Sequence, residues 1–538
     1  MLCKNDPTKQ ETLFDATQWM DARILERLNR SWAPIFYKEV FMKIDETPFA
    51  VLYSNTGSPN FPVNILLSLE YIKHMKNCSD AELLEYYDFD YLVNYAVGNR
   101  RLGERPMAER TLYNFRERVY KYSFEHPESD DILFGQFEKL TSNFADEAEI
   151  KMTEQRVDTT MFMSNIKKAG RISLAYDVLN QAIKAIPEDK RSDKLLEVLE
   201  PGFKTDTLYR SKGEARESRL TLLLNLCKEA SGILNDLADA DEAAKRILNR
   251  FIEEQTVQSQ DGTVKAKNKH DIEATSLQSA FDEDATYRSK AGKGQSGYVL
   301  EIAETCNKEN DFQLITDYRV EQNVVSDTEI IKNRIERIAT QTGCEKMYAD
   351  GGFYAPDVMD EAKKAAVDIH LTNMTGAAPK RNLPASEYET EPESCVIARC
   401  PAGHKPDRTS ISKSQSVAHF PKATCEGCAM KDQCHVKIQK KSAVVRISLK
   451  SFEAAAVRAS IINEKKENTS MRAAIEGSNS AMKRKGLRKL AVRGISKSSV
   501  VCDLKAAAQN ISRFINFRKG GYKKKEKVKI NMGEVCPN

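Results

Sequence analysis

At 538 residues, with 41% hydrophobic and 30% charged side chains, the chain is too long for one core; at roughly 150 residues per domain, about three or four are expected. The opening MLCKNDPTKQ is polar, and no 18-residue apolar run, secretory signal or lipidation motif is visible, so a cytoplasmic protein without membrane partners is expected. The net charge of +4 conceals an asymmetry: Lys483 to Lys529 holds 16 Lys or Arg against Asp503 and Glu526, +14 beside −10 for the remainder, which points to a polyanion and first to nucleic acid.

In chain order, the first 125 residues predict helices. FPVNILLSLEYIKHMKN places Ile65, Leu66, Leu69, Ile72 and Met75 at helical spacing and stops at Asn77. Ser79 and Glu82 read as a capping box opening SDAELLEYY. In RPMAERTLYNFRERVYKY, Leu112, Phe115 and Val119 share one face while Arg110, Arg116 and Arg118 project elsewhere, compatible with a helix-turn-helix-like DNA-binding unit. A further helix is expected near 129–148, then a short strand, QRVDTTMF, carrying Asp158.

From 166 to about 256 the pattern is helical and charged, and its stripe of Leu220, Leu223, Leu224, Cys227, Leu234 and Leu237 reads as packing. GYVLEIAETCNKENDFQLITDYRV predicts a hairpin around NKEND. A helix over 327–342 follows, with Ser326 and Glu329 as its capping box and Gly343 as its stop. KMYAD is a short strand ending at Asp350, Pro356 opens another helix, VDIHLT is a fifth strand, and a long final helix carries Glu476.

Two strand-end aspartates and one helical glutamate suggest a specific chemistry. Strands ending in Asp can lie side by side, and a helix across them can lower one Glu toward both. Three converging carboxylates repel, which makes sense only with cations between them. Hard oxygen ligands with open positions suit Mg²⁺ or Mn²⁺, and two such ions about 3.5–4 Å apart serve phosphodiester displacement. Residues spaced by four and seven share a helix face, so Arg472, Glu476, Asn479 and Lys483 form one stripe. On that stripe Glu476 is expected to hold metal while Arg472 and Lys483 clamp phosphates, and the glycines after Asp350 permit close backbone approach.

At RVDTTMF, YADGGFYAPDV and IEGSNSAMKRKGLRKLAVRG the chain resembles bacterial insertion-sequence transposases with a ribonuclease-H-like core and an Asp-Asp-Glu triad. One branch carries Tyr, two residues, Arg, three residues, Glu, six residues, Lys; Arg472, Glu476 and Lys483 fit it, and Thr469 replaces the Tyr that in the family contacts the DNA backbone near the cut end. SLEYIKHMKNCSDAELLEYY and RTLYNFRERV resemble the domain preceding the core in these enzymes.

The resemblance implies an α/β fold: a ribonuclease-H-like mixed sheet flanked by helices, interrupted twice and preceded by an all-helical domain. The expected organisation is a helical DNA-binding domain over 1–125, a core over 126–165, 291–375 and 451–518, a mainly helical insertion over 166–290, a Cys-rich insertion over 376–450, and a basic tail over 519–538. It also implies cleavage and strand transfer at Asp158, Asp350 and Glu476 with Mg²⁺ or Mn²⁺, element ends and target as double-stranded DNA partners, and a homodimer on DNA. A DNA-binding relative without chemistry and a stand-alone nuclease are the alternatives. Arg472, Lys483, Arg488, Arg493, Arg110 and Arg116 are the expected phosphate contacts.

Five of the twelve cysteines fall between Cys395 and Cys434, a clustering that favours metal over bridging. Cys400, Cys425, Cys428 and Cys434 can supply four thiolates for a structural zinc, with Cys395, His404 and His435 as further candidates; four buried reduced thiols are the alternative.

Overall fold

The computed structural model describes residues 1–5, 15–126, 132–208, 214–258, 264–290, 292–373, 383–391 and 394–521. The basic tail from 522 onward therefore lies outside the described residues.

Helix α1, Val63–Lys76, ends at Asn77, whose left-handed φ of 53° supplies the stop. The Ser79–Glu82 box caps α2, Asp80–Phe89, with both reciprocal hydrogen bonds made. Helix α3, Glu109–Glu125, buries Leu112, Phe115 and Val119, and α4, Ile132–Glu147, buries Phe137, Leu140 and Phe144. Strand β1 is Glu154–Phe162. Strands β2, Lys293–Thr305, and β3, Ile315–Gln322, form the expected antiparallel hairpin. Next come β4, Lys346–Ala349; α5, Pro356–Lys364, with proline in its first turn; and β5, Asp368–Leu371. Three helices close the described chain: α6, Leu449–Ala473; α7, Ile475–Met482; and α8, Ile495–Arg518.

The chain divides into two compact units: Met1–Lys151, Thr159–Ser326 and Ser478–Asn538 in one, Met152–Asp158 and Asp327–Gly477 in the other. In the first, α8 is the hub, packing on α1, α3, α4 and β3. Two of its buried polar side chains tie it to its neighbours: Asn510 bonds Thr141 and the Ile315 backbone, and Tyr318 donates to Asp503 at 2.6 Å. The same unit contains helices Arg171–Ala185, Asp193–Leu199, Pro201–Leu208, Glu214–Asp236 and Glu242–Gln255, whose apolar faces share a core of their own. The 220–237 stripe is packing, with Leu223, Leu224, Cys227 and Leu234 buried and Leu220 and Leu237 at the core's margin.

In the second unit, the start of β1 pairs parallel with β4, and β4 pairs parallel with β5. With the antiparallel β2–β3 hairpin this makes a mixed α/β protein with a helical N-terminal region. The single helix expected over 327–342 is instead Asp327–Lys332 followed by Ile335–Thr342. The amides of Asn333 and Arg334 bond back three residues, to Ile330 and Ile331, tightening the turn where Asn is a poor helix former. Within 376–450 lies an antiparallel sheet the sequence reading did not foresee: Arg408–Ser412, Gln415–Phe420, Ala443–Ser448 and Val436–Ile438, in that spatial order. Phe420, Val445, Ile447 and Ile397 give this segment a separate small core.

Candidate functional site

The register of β1 on β4 settles how the two aspartates relate. Glu154, Gln155 and Arg156 face Lys346, Met347 and Tyr348, a constant offset of 192 residues. Asp158 and Asp350 differ by the same 192, so continuing that register sets them opposite one another.

Just beyond β4 the Asp350 carboxylate accepts from the Gly352 amide at 2.7 Å, which turns the chain sharply after the strand. A Cβ on Gly351 would stand 2.5 Å from the Asn373 carbonyl oxygen, and one on Gly352 would stand 2.8 Å from the Asp350 carboxylate. Gly351 therefore excludes a side chain for reasons of space, whereas one at Gly352 would require the Asp350 carboxylate to shift.

Helix α6 is fastened across these strands by polar ties. Arg156 donates to the Met471 carbonyl at 3.1 Å, Asn468 to the Leu371 carbonyl at 3.1 Å, and His370 pairs with Glu464 at 2.9 Å. Ile461 and Met471 are buried on α6, and Ile475 at the start of α7. The consequence is the position of Arg472. Its guanidinium reaches Asp158 at 3.1 Å, Asp350 at 3.4 Å and Glu476 at 3.4 Å. One cation thus contacts all three expected acids. The Arg472 side chain is 18% exposed and that of Glu476 64%, so the pairs with the aspartates are sheltered and the third faces solvent.

Arg472 therefore stands among the carboxylates, where a phosphate clamp flanking them was expected. The physical reason is charge: three acids brought together attract the nearest cation, and the four-residue spacing from Glu476 puts this one within reach. The oxygen donor set suits a hard divalent cation, and the guanidinium demonstrates that the pocket of carboxylates accepts positive charge. Among the described residues, however, no three His, Cys, Asp or Glu side chains are already drawn into coordinating geometry.

The other expected phosphate contacts lie in the first unit. Lys483 is half-buried in the turn that ends at Gly486, whose φ is 86°. Arg488, Arg493 and Arg110 are exposed; Arg493 donates to the Asn165 carbonyl and lies over the Phe281 ring. Arg116 is otherwise placed than expected. Its side chain is 12% exposed, with Nε 2.5 Å from Glu70 and both terminal nitrogens on Asp80, so it is a structural tie between helices. Burial works to raise the Asp80 pKa, yet the hydrogen bonds from Arg116 and Lys73 bring it down to about 2. The basic 483–521 segment is likewise not all surface: Arg513 holds the fully buried Glu304 at 3.0 Å, and Lys505 is buried. Nothing in the local charge count distinguishes such internal cations from external ones.

Cys400, Cys425, Cys428 and Cys434 line one cavity of about 20 Å³, with His404 beside them. That is room for a single small occupant. Burial, reinforced by Cys434, Cys400 and Cys428, pushes the Cys425 thiol up to about 11. Tyr388 lies 2.9 Å from the Cys434 sulfur, and His435 is engaged by the Leu383 carbonyl at 3.0 Å. Cys395 has a left-handed φ of 54°.

Comparison with known families gives two matches. Residues 25–118 match the family described as Transposase domain (DUF772), and residues 399–515 match the Transposase DDE domain. The first covers the N-terminal helices and the second includes Arg472 and Glu476. No curated protein and no solved structure matches the chain.

Proposed function

We propose, from the premise that this chain is an insertion-sequence DDE transposase, that Asp158, Asp350 and Glu476 are its catalytic acids and that it cuts element ends and joins them to target DNA. The observation that carries this reading is the single guanidinium shared by the three carboxylates, at 3.1–3.4 Å. Acids so far apart in sequence share a cation only if the fold brings them to one place. The mixed sheet supports a ribonuclease-H-like core. The separate apolar cores of 172–280 and 385–455 support reading 166–290 and 376–450 as insertions into it.

Bound between the three carboxylates, one or two Mg²⁺ or Mn²⁺ ions would supply Lewis-acid activation of the attacking oxygen and charge stabilisation at the leaving oxygen. The protein's own contribution is positional. Asp158 lies on β1 and Asp350 just past its partner β4, and Glu476 approaches from the first turn of α7, which follows α6 where the expected long helix breaks at Ala474; α6 is anchored through Asn468 and Met471. Arg472, on releasing its acids, is placed to take a phosphate oxygen. Water attacks phosphorus at the element end and breaks its bond to the 3′ oxygen; the freed 3′-hydroxyl then attacks a target phosphodiester and displaces its 3′ oxygen. The N-terminal helices and the exposed Arg110, Arg488 and Arg493 supply backbone contacts to the terminal inverted repeats, and a homodimer holds both ends. With Thr469 in place of the family's Tyr, the backbone contact near the cut end falls to other residues. The four clustered cysteines are a donor set suited to a structural Zn²⁺.

The test is a duplex bearing the repeat that flanks the coding region, incubated with Mg²⁺. Cleavage and strand transfer are expected, both abolished by Asp158→Asn, Asp350→Asn or Glu476→Gln while duplex binding persists. Cleavage without transfer would leave a nuclease; binding without either would leave a DNA-binding relative that has lost chemistry.

A further inference from the structure

A second charged site lies within the first unit, in an open cleft of about 430 Å³ between α1, α3 and the 486–505 segment. Lys505 forms its floor, at 8% exposure. Its ammonium donates to the Lys485 carbonyl at 2.5 Å and lies 3.5 Å from Nδ1 of His74. Among the described residues no carboxylate stands within ion-pair distance of it. After burial, the neighbouring Cys502 thiol favours its charge, and Lys73 and Lys485 oppose it.

Two of the cleft's three acids are already committed. Glu70 is held by Arg116, Asp80 by Arg116 and Lys73, and Glu117 is exposed. Exposed Lys489 adds a further cation to the lining. His74 experiences the same imbalance. Burial, then Lys505, Lys73 and Arg116, hold it neutral, and Asp80 alone opposes them. Its Nδ1 is accordingly the acceptor facing Lys505, and its proton sits on Nε2. Burial first, and the neighbouring lysines after it, lower Lys505 to about 8, so near neutral pH the group is still mostly charged.

A buried cation with no counter-ion is costly, and persists where something else supplies the negative charge. Lysine is a compact point charge suited to phosphate, and the rings of Tyr113 and Tyr120 give the cleft flat walls. We propose that this cleft is a phosphate-binding site, with Lys505 taking the phosphate group of a nucleic-acid strand. The strand as source rests on the DNA-binding reading above; the site itself does not.

The full-length protein is treated with an amine-reactive reagent at pH 8 and Lys505 modification is followed by peptide mass spectrometry. The probes are inorganic phosphate and a duplex oligonucleotide, with chloride at matched ionic strength as control. A probe at about ten times its dissociation constant should slow Lys505 labelling by roughly tenfold, while an exposed lysine such as Lys4 is little affected. Protection by the duplex identifies a strand phosphate as the ligand. Protection by inorganic phosphate alone upholds the site and removes the strand as its source. No protection by either overturns the proposal, whatever the outcome of cleavage assays. As a second measurement, Lys505→Met should lower the salt dependence of duplex affinity by about one counter-ion, and Lys505→Arg should restore it; an unchanged slope in a folded Met variant counts against the strand.

Discussion

Replacing Arg472 by Gln removes the one cation that the three acids share. In the protein without metal or DNA, that guanidinium makes two sheltered contacts, to Asp158 at 3.1 Å and Asp350 at 3.4 Å, and an exposed one to Glu476. At 18% exposure the sheltered pairs are screened in part, and each is worth about 1 kcal/mol, the exposed one close to nothing. A divalent ion entering between the carboxylates has to displace those contacts, so roughly 2 kcal/mol of competition vanishes in the variant. That corresponds to an affinity about 30-fold tighter. Mn²⁺ titration of the DNA-free protein, by calorimetry or by the electron-spin signal of the unbound ion, reads this directly. The same variant should bind repeat-end DNA less well, because the released guanidinium no longer meets phosphate. Equal or weaker Mn²⁺ binding by the Gln variant would refute the reasoning, since it would mean the arginine does not stand where the metal must.

Three further outcomes follow from other pairings. Asp80, held near a pKa of about 2, has a depressed folded value, so its contribution is present above its unfolded pKa of about 4 and is lost as pH falls toward 2. Asp80→Asn should therefore cost no more than about 2 kcal/mol in urea melts at pH 7, with the gap to wild type closing between pH 4 and pH 2. Arg513→Met removes the guanidinium from the fully buried Glu304 carboxylate, leaving it the Ser478 hydroxyl, and should destabilise by about 3 kcal/mol; adding Glu304→Gln should recover much of that loss, and no recovery would deny the pair its role. For the cysteine cavity, elemental analysis of purified protein should find about one zinc per chain, absent in Cys425→Ser; zinc-free wild type with four titratable thiols would favour reduced cysteines.

Much of the fold was legible because local chemistry decided it. Asn77, Gly343, Pro356 and the Ser79–Glu82 box act over a single turn, and each sits where a helix begins or ends. The strands bearing the aspartates were legible for the same reason. Partnership between charges was not. Arg116 and Arg110 look alike in sequence, yet one is locked to Glu70 and Asp80 and the other is exposed. Lys505 and Arg513 belong to the basic segment by sequence, although the fold buries the first and pairs the second internally. The hairpin joining Arg408–Ser412 to Gln415–Phe420 carries no local signature in the sequence, because Lys413 and Ser414 take the two positive φ angles that Asn-Gly would normally announce. The β-branched and aromatic residues of SVAHF and AVVRIS are the signal that points to strands there.

The shared offset of β1 and β4 has one last implication. Because neighbouring parallel strands are held rung by rung, the pairing of Glu154, Gln155 and Arg156 with Lys346, Met347 and Tyr348 is indifferent to how much polypeptide is looped out between them. That excursion can therefore be spliced, lengthened or exchanged while the pairing of the two strands stays as it is.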